Sequence, residues 1–309
     1  MNRILLAVLG GLLLIATGNA QKKPADEPLA PAKKKRVLFI TESRGFVHSV
    51  VNRSKAPLSL AEQVLTAIGE KSGDFEVICS QESRKMITKE NLTHVDAVFF
   101  YTTGTLPLSE TQKADLLDFV RKGGGFGGTH SATDTFYNWP DYGKLIGGYF
   151  DGHPWHQKIR VVVEDRTHPA TKHLGESFEI TDEIYQFRAP YDRGRLRVLM
   201  SMDRSIDQPT ISEKGKEVRF TFNMGVARLS VDGIEKSADG FSYQGPRGKR
   251  ADGDNALAWV QPYGKGRVFY TALGHREEVW KDERFQKHLL GGLRFILGLE
   301  EGEVKPSKP

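Results

Sequence analysis

The chain has 309 residues, a formal net charge of +5 and a single cysteine. One cysteine excludes an internal disulfide and any zinc finger that needs two or more thiolates. With 39% hydrophobic and 27% charged residues, the composition is that of a folded soluble protein. The chain is long enough for one large α/β domain or two small ones.

The positive charge is concentrated near the N-terminus. Arg3 gives the first 20 residues a charge of +1, and residues 21–36 carry a charge of +4, so the remaining residues sum to zero. A domain without excess positive charge offers no general attraction for a polyanion. We therefore expect no nucleic-acid partner.

Residues 1–20 have the features of a secretory signal peptide. Arg3 precedes an apolar run over residues 4–16, and Gly18 and Ala20 supply the small side chains that signal peptidase requires. The run is too short to span a bilayer comfortably, although an uncleaved membrane anchor is the alternative. We expect an exported protein, periplasmic or extracellular, without membrane contact after cleavage.

Composition divides the rest of the chain. Residues 21–35, rich in proline, alanine and charge, predict a disordered basic linker. A single domain is expected over residues 36–299, with a glycine- and charge-rich insertion over residues 203–254. Residues 300–309 form a polar tail.

Hydrophobic patterning in the first part of the domain predicts alternating strands and helices. In chain order these are strand Val37–Thr41, helix Pro57–Glu70, strands Phe75–Cys79 and Ala97–Tyr101, helix Ser109–Lys122 and strand Gly125–Thr129. Ser109 and Gln112 have the spacing of a capping box at the start of the second helix. This order predicts a doubly wound α/β sheet with functional loops at the carboxyl ends of its strands.

The second part of the domain reads as further strands and one final helix. The strands are Arg160–Glu164, Arg197–Met202, Ala256–Gln261 and Arg267–Ala272, and the helix runs from about Glu283 to Leu297. The insertion has short alternating pieces such as Val218–Phe222, which predict an inserted β-rich hairpin region.

Several of the nine histidines follow predicted strands, at the edge of the sheet where the cleft is expected. One histidine at such a place is more often a surface or capping residue, but several at one edge favour a functional site. These residues are His48, His130, His153, His156, His168 and His275.

The stretch Gly123–Ala132 (GGGFGGTHSA) has the layout of a nucleophile elbow, in which small residues permit a tight, strained turn after a strand. The residue at the turn is His130. An imidazole there suits general acid/base catalysis or metal ligation, with Ser131 a rival nucleophile one position away. No Gly-Lys-Ser/Thr follows, so the stretch is not a phosphate-binding Walker loop.

A divalent metal, Zn²⁺ or a similar ion, is a candidate cofactor, although histidines in loops also hydrogen-bond sugars. The candidate ligands are His130, His153 and His156, with His48 and a carboxylate from Glu42, Asp151 or Glu183 as possible additions.

Asp182, Glu183 and Tyr185 put two carboxylates and a phenol in one short segment. A carboxylate can orient a histidine and raise its basicity, which makes Asp182 and Glu183 candidate catalytic partners of His130. The alternative is an acidic pair at a strand edge that bonds the backbone. Aromatic residues clustered in the same region, among them Trp155, suit either sugar stacking or core packing.

Taken together, these motifs resemble those of the ThuA-like (trehalose utilisation) family. The matching stretches are Gly128–Ala132, Tyr142–Phe150, His153-Pro154, His168-Pro169, Asp182–Tyr185, Trp259, Gly264–Tyr270 and Gly274-His275. The resemblance implies a flavodoxin-like, mostly parallel sheet of the class I glutamine amidotransferase-like kind. It also implies that His130 stands where the amidotransferases carry their catalytic cysteine, so glutamine hydrolysis is not expected.

The family resemblance links the chain to disaccharide breakdown through sugars oxidised to the 3-keto form. We therefore expect a carbohydrate-processing protein, acting as a hydrolase, lyase or isomerase by histidine acid/base or metal-assisted chemistry. Substrate would be bound by His48, His153, Trp155, Tyr185 and His275. The alternatives are a non-catalytic sugar-binding module using the same cleft, and a structural or partner-binding domain.

Overall fold

The computed structural model of the protein describes residues 34–203 and 254–307, together with the backbone of four strands between them. The signal peptide expected over residues 1–20 lies outside the described residues, as does nearly all of the expected linker. The first strand begins at Lys35, the last residue assigned to that linker. None of the helices in the described part of the chain is both long and apolar enough to cross a membrane.

The first part of the domain alternates strands and helices as the sequence predicts. In chain order the elements are β1 (Lys35–Ile40), α1 (Leu60–Ser72), β2 (Phe75–Ser80), α2 (Ser83–Met86), α3 (Lys89–Leu92), β3 (Ala97–Phe100), α4 (Glu110–Arg121) and β4 (Gly125–Thr129). The predicted capping box of Ser109 and Gln112 is present at the start of α4. The short helices α2 and α3 were not expected.

The second part contains mostly strands. The elements are α5 (Pro140–Ile146), β5 (Tyr149–Val163), β6 (Ser177–Arg188), β7 (Arg197–Met202), β8 (Pro209–Ile211), β9 (Glu217–Asn223), β10 (Val226–Val231), β11 (Ile234–Lys236), β12 (Ala256–Tyr263), β13 (Gly266–Thr271), α6 (Glu277–Lys281) and α7 (Glu283–Ile296). The four strands β8–β11 fall inside the predicted β-rich insertion.

The described strands form one large mixed sheet. Its order is β11-β10-β9-β8-β5-β7-β12-β13-β4-β3-β1-β2, and β6 pairs with β5 beside this path. The pairings among β2, β1, β3, β4 and β13 are parallel. The other eight pairings are antiparallel.

The expectation of a mostly parallel sheet is therefore wrong for the described residues, while the α/β class is confirmed. The antiparallel part is larger than expected because β5 and β6 form a long ribbon in which Tyr149 pairs with Arg188 and Val162 with Ser177. Only the end of β5 had been predicted as a strand. The flavodoxin-like, doubly wound arrangement stays a prediction.

The core lies against the parallel strands. Residues Val37–Ile40 of β1 and Ala97–Phe100 of β3 are completely buried, as their continuous apolar sequences predict. A buried strand of this kind leaves its functional groups to the loops that follow it. The carboxyl ends of β1, β4 and β13 lead into the segments that carry His48, His130 and His275.

Candidate functional site

Four side chains converge at this edge of the sheet. His48 follows β1, His130 follows β4, His275 follows β13, and Glu183 comes from β6 of the antiparallel ribbon. One nitrogen or oxygen atom from each of the four lies within 4.8 Å of those from the other three. We call these residues the histidine–glutamate cluster. The structure thus brings three of the histidines singled out in the sequence to one point.

His130 occupies the strained turn that the glycine-rich motif predicts. Its φ is +45°, in the left-handed region that a residue with a side chain rarely adopts. The Tyr270 hydroxyl donates to the His130 carbonyl at 2.6 Å, which holds the turn. A Cβ on Gly128 would lie 2.4 Å from Cβ of Ala132, so the turn closes against the strand only because residue 128 is glycine.

The backbone fixes which ring nitrogen of His130 is available. Nδ1 lies 2.8 Å from the Ala272 carbonyl oxygen, which can only accept a hydrogen bond, so Nδ1 carries the proton. Nε2 then points into the cluster, 3.2 Å from His275 Nδ1 and 3.4 Å from Glu183 Oε2. A histidine that donates its other N–H to a backbone carbonyl is typical of metal ligands.

Glu183 lies at the centre of the cluster. Oε2 is 3.1 Å from His275 Nδ1, and Oε1 is 3.3 Å from His153 Nδ1. Burial raises the pKa of Glu183, but hydrogen bonds and charge interactions with His130 and His275 outweigh it and bring the pKa below its usual range. The reciprocal effect raises the pKa of His275 despite its burial. The site therefore contains a carboxylate in its ionised form.

His48 closes the cluster from the side of β1. Its side chain is buried, and its ring centroid lies 4.9 Å from that of His130 and 5.1 Å from that of His275. Burial, with the neighbouring His130 and His275, lowers the pKa of His48 to about 2, so the imidazole is neutral. Within the described residues, its Nδ1 has no hydrogen-bond partner.

This donor set fits a divalent metal. Imidazole nitrogens, which are deprotonated when they bind an ion, together with one carboxylate are ligands that Zn²⁺ and similar ions take. A buried ring nitrogen of His48 without a partner among the described residues, and the orientation of His130 by a carbonyl, fit residues that bind a metal ion.

Of the predicted metal ligands His130, His153 and His156, the converging set contains His130, and it also contains His48 and Glu183, which the sequence offers as possible additions. The His153 side chain is 54% exposed and contacts Oε1 of Glu183, whereas His130 contacts Oε2. His156 Nε2 lies 3.3 Å from Nη1 of Arg276, and its ring is 5.0 Å from that of His275. Both therefore lie beside the cluster and outside it.

Asp182 contacts the backbone instead of a histidine. Completely buried, it accepts hydrogen bonds from the Gly274 N–H at 2.7 Å and the Arg276 N–H at 3.1 Å. It thereby clamps the loop that carries His275. Of the two predicted carboxylates, Glu183 is the one that reaches His130, and Asp182 has the backbone role considered as the alternative.

The predicted aromatic residues divide between the two faces of the ribbon. The Tyr185 ring lies 4.1 Å from that of His130, and Phe150 packs 4.4 Å from Tyr185. Trp155 pairs with Ile184, the neighbour of Glu183, so its side chain is on the opposite face of the ribbon from Glu183. The structure therefore brings Tyr185 to the cluster and directs Trp155 away.

The sequence does not predict two features of the site. The Ala272 carbonyl that orients His130 is a backbone group without a sequence signal. Phe46 lies in the loop after β1, with its ring 4.8 Å from that of His48. Its position two residues before His48, in a loop that follows a strand, could have indicated it. Glu42, weighed as a ligand, instead accepts from the Ser83 N–H at 2.8 Å.

Fold and site together define a mixed α/β protein with a histidine–glutamate cluster at the carboxyl ends of parallel strands. Residues 36–296 match the family model ThuA, described as trehalose utilisation. The chain belongs to this ThuA family. No curated protein is significantly similar to it.

Solved structures agree with this assignment at the level of fold. A ThuA-like protein from Bacteroides uniformis is 22% identical, with a TM-score of 0.57 over 87% of this chain and 95% of that one. One from Parabacteroides merdae is 20% identical, with a TM-score of 0.57 over 90% and 94%. A cytoplasmic protein from Salmonella typhimurium is 14% identical, with a TM-score of 0.51 over 84% and 99%.

Proposed function

We propose that the protein is an exported, carbohydrate-processing enzyme that acts on a disaccharide or its 3-keto form, with the histidine–glutamate cluster as its reaction centre. The family suggests a carbohydrate ligand. The observation that carries the proposal is the convergence of His48, His130 and His275 on the ionised carboxylate of Glu183. Buried groups of this kind are concentrated at catalytic sites.

A divalent ion such as Zn²⁺ would be held by His48, His130, Glu183 and His275, and it would polarise a carbonyl or hydroxyl oxygen of the sugar. Groups of the protein itself position the cluster residues and bind the substrate. Asp182 fixes the loop of His275, and Ala272 fixes the ring of His130. His153, exposed to solvent and in contact with Glu183, would bind the substrate beside the cluster.

The chemistry that suits these groups is proton transfer next to a ketone. A base removes the proton from the carbon beside the 3-keto group, and the electron pair left behind forms a carbon–carbon double bond. The glycosidic C–O bond breaks, and the departing sugar oxygen takes up a proton. The same first step, followed by reprotonation elsewhere, would give isomerisation. His130 would be the base in the version of this step that uses no metal, because the ordinary pKa of an imidazole lies near neutrality.

The first prediction concerns the cluster itself. Full-length protein, His130→Ala and Glu183→Gln are assayed for bound metal by elemental analysis and for turnover of trehalose and 3-keto-trehalose. We expect bound metal in the wild type, and a loss of metal together with at least a 100-fold loss of turnover in both variants, as for removal of a principal catalytic group. His173→Ala serves as the control, because His173 is exposed and away from the cluster.

Different outcomes separate the candidate functions. Turnover that survives His130→Ala would contradict the assignment of this centre. Binding of unmodified trehalose without product would instead favour the non-catalytic sugar-binding module.

A further inference from the structure

The loop after β1 exposes two apolar side chains beside the cluster. Phe46 is 65% exposed and Val47 is 51% exposed. Among the described residues, Leu299 at 45% is the third exposed large hydrophobic side chain. We call Phe46 and Val47 the apolar lip. Since the other large apolar side chains of the described residues are buried or half-buried, an exposed pair at the site is unusual.

The lip is continuous with the cluster. The Phe46 ring meets the His48 ring at an interplanar angle of 82°, with the centroids 4.8 Å apart. His48 in turn faces both His130 and His275. A molecule lying on Phe46 would therefore be beside His48, one of the four residues of the cluster.

The loop that presents the lip is held firmly by Thr103. The Arg44 N–H donates to the Thr103 carbonyl at 2.9 Å, and the Gly45 N–H donates to its hydroxyl oxygen at 3.2 Å. That hydroxyl donates to the Phe46 carbonyl at 2.9 Å. The position of the lip is thus fixed before any ligand arrives, which lowers the entropic cost of binding.

We infer that the apolar lip is the stacking platform for a sugar ring of the substrate, with the reacting part of that sugar over the histidine–glutamate cluster. This inference rests on the proposed function. One face of a pyranose presents C–H groups with partial positive charge, and the face of a phenyl ring is negative. An apolar platform with a few polar groups nearby is the usual composition of a small-molecule site.

The size of the lip favours a sugar over a protein partner. A stable protein interface buries about 800 Å² on each partner, far more than two side chains provide. One ring face of a sugar is close to the area of one phenyl ring with an adjoining isopropyl group. The lip therefore matches a single sugar ring.

The second prediction tests the lip with three variants of the full-length protein. Phe46→Ala removes the platform, Phe46→Trp keeps an aromatic face and adds a reporter, and Leu299→Ala removes an exposed apolar side chain elsewhere. Binding of trehalose and 3-keto-trehalose is measured by calorimetry, with metal content and molecular mass checked for each protein.

We expect Phe46→Ala to weaken sugar binding about tenfold, the loss of one aromatic contact, without loss of metal. Phe46→Trp retains the affinity and shows a change in tryptophan emission on addition of sugar that the wild type lacks. Leu299→Ala binds as the wild type does.

Three outcomes overturn the inference, and they are distinguishable. Wild-type affinity in Phe46→Ala would show that the apolar lip does not bind the sugar, and the proposed function would still stand. If the wild type binds neither sugar, both the stacking role of the lip and the proposed function are contradicted. A change of molecular mass in Phe46→Ala at unchanged sugar affinity assigns the lip to contact with a second copy of the chain.

Discussion

At the scale of single residues, the geometry of the site depends on the absence of side chains as much as on their presence. His130 can occupy its left-handed turn because Gly128 lies near the end of β4, where Ala132 fills the space that a side chain would need. A Cβ added to Gly128 would also lie 3.2 Å from the Phe100 carbonyl oxygen. Neither neighbour is the end of a flexible side chain, so neither can move easily.

The third prediction follows from this contact. Gly128→Ala is expected to lower the free energy of unfolding by about 1–3 kcal/mol through overpacking, and to displace His130 from the cluster. Gly175→Ala is the matched control, since an added Cβ there has no neighbour within 4 Å. Urea unfolding of the two variants measures the difference. Equal stability of the two would show that the turn can relax.

At the scale of elements, a buried ion pair connects α1 to the strand beside it. The Glu62 carboxylate is completely buried and accepts hydrogen bonds from the Arg53 guanidinium at 2.6–3.1 Å. It also accepts from the Ser59 N–H at 2.8 Å and the Thr41 hydroxyl at 2.5 Å. These bonds hold the start of α1, the end of β1 and the loop carrying Arg53 together.

The fourth prediction compares this pair with an exposed one. Arg53→Ala should destabilise the protein by about 3 kcal/mol, because it leaves a buried carboxylate without its cation. Lys122→Ala breaks an exposed pair with Asp118 on α4 and should cost less than about 0.5 kcal/mol. Chemical denaturation of both variants measures the ratio. A cost for Arg53→Ala as small as that for Lys122→Ala would refute the structural role given to Glu62.

The elements also show where sequence patterning succeeds and where it stops. Buried strands such as β1 and β3 are continuous apolar runs, so they can be recognised without tertiary information. The ribbon strand β5 contains Gly152, Pro154 and two histidines, which break any alternation. Its long pairing with β6 is imposed by tertiary contacts.

The site was predictable where its residues follow buried strands, and not where they lie in the ribbon. His48, His130 and His275 could be placed at one edge because they follow strands, and parallel strands end at a common edge. His153 and His156 lie outside the converging set. Both are in β5, and the register in which β5 pairs with β6 could not be read from the sequence.

At the scale of the whole molecule, two buried histidines fasten the C-terminal helix to the domain. His288 of α7 lies with Nδ1 2.8 Å from the Ala170 carbonyl oxygen, and the Ala170 N–H donates to His168 Nδ1 at 3.2 Å. His288 must donate through Nδ1 and His168 must accept through Nδ1, so the two rings carry opposite tautomers. Burial lowers the pKa of His168 to about 4 and that of His288 to about 3.

The fifth prediction concerns the pH dependence of stability. Both histidines are neutral in the folded protein, whereas in the unfolded chain they protonate near pH 6.5. As pH falls from about 6.5 toward 4, the unfolded state binds more protons, and each histidine lowers stability by about 1.4 kcal/mol per pH unit. His288→Gln should therefore flatten the loss of stability over this window relative to the wild type.

Thermal unfolding of the wild type and the variant at a series of pH values measures this difference. His48 contributes a slope of the same sign, so the comparison between the two proteins isolates His288. Parallel curves for the two proteins between pH 6.5 and 4 would contradict the assigned buried, neutral state.

The pairing of β5 with β6 has a consequence for how this protein can change in length. Glu183 faces the cluster because His156 is its partner across the ribbon, and neighbouring residues of a strand face opposite ways. Inserting or deleting one residue before position 183 would present Asp182 or Ile184 to the three histidines in place of Glu183. Descendants of this chain can therefore gain or lose residues in its loops. In the ribbon, an insertion or deletion of one residue would replace Glu183 at the centre of the cluster with the residue next to it.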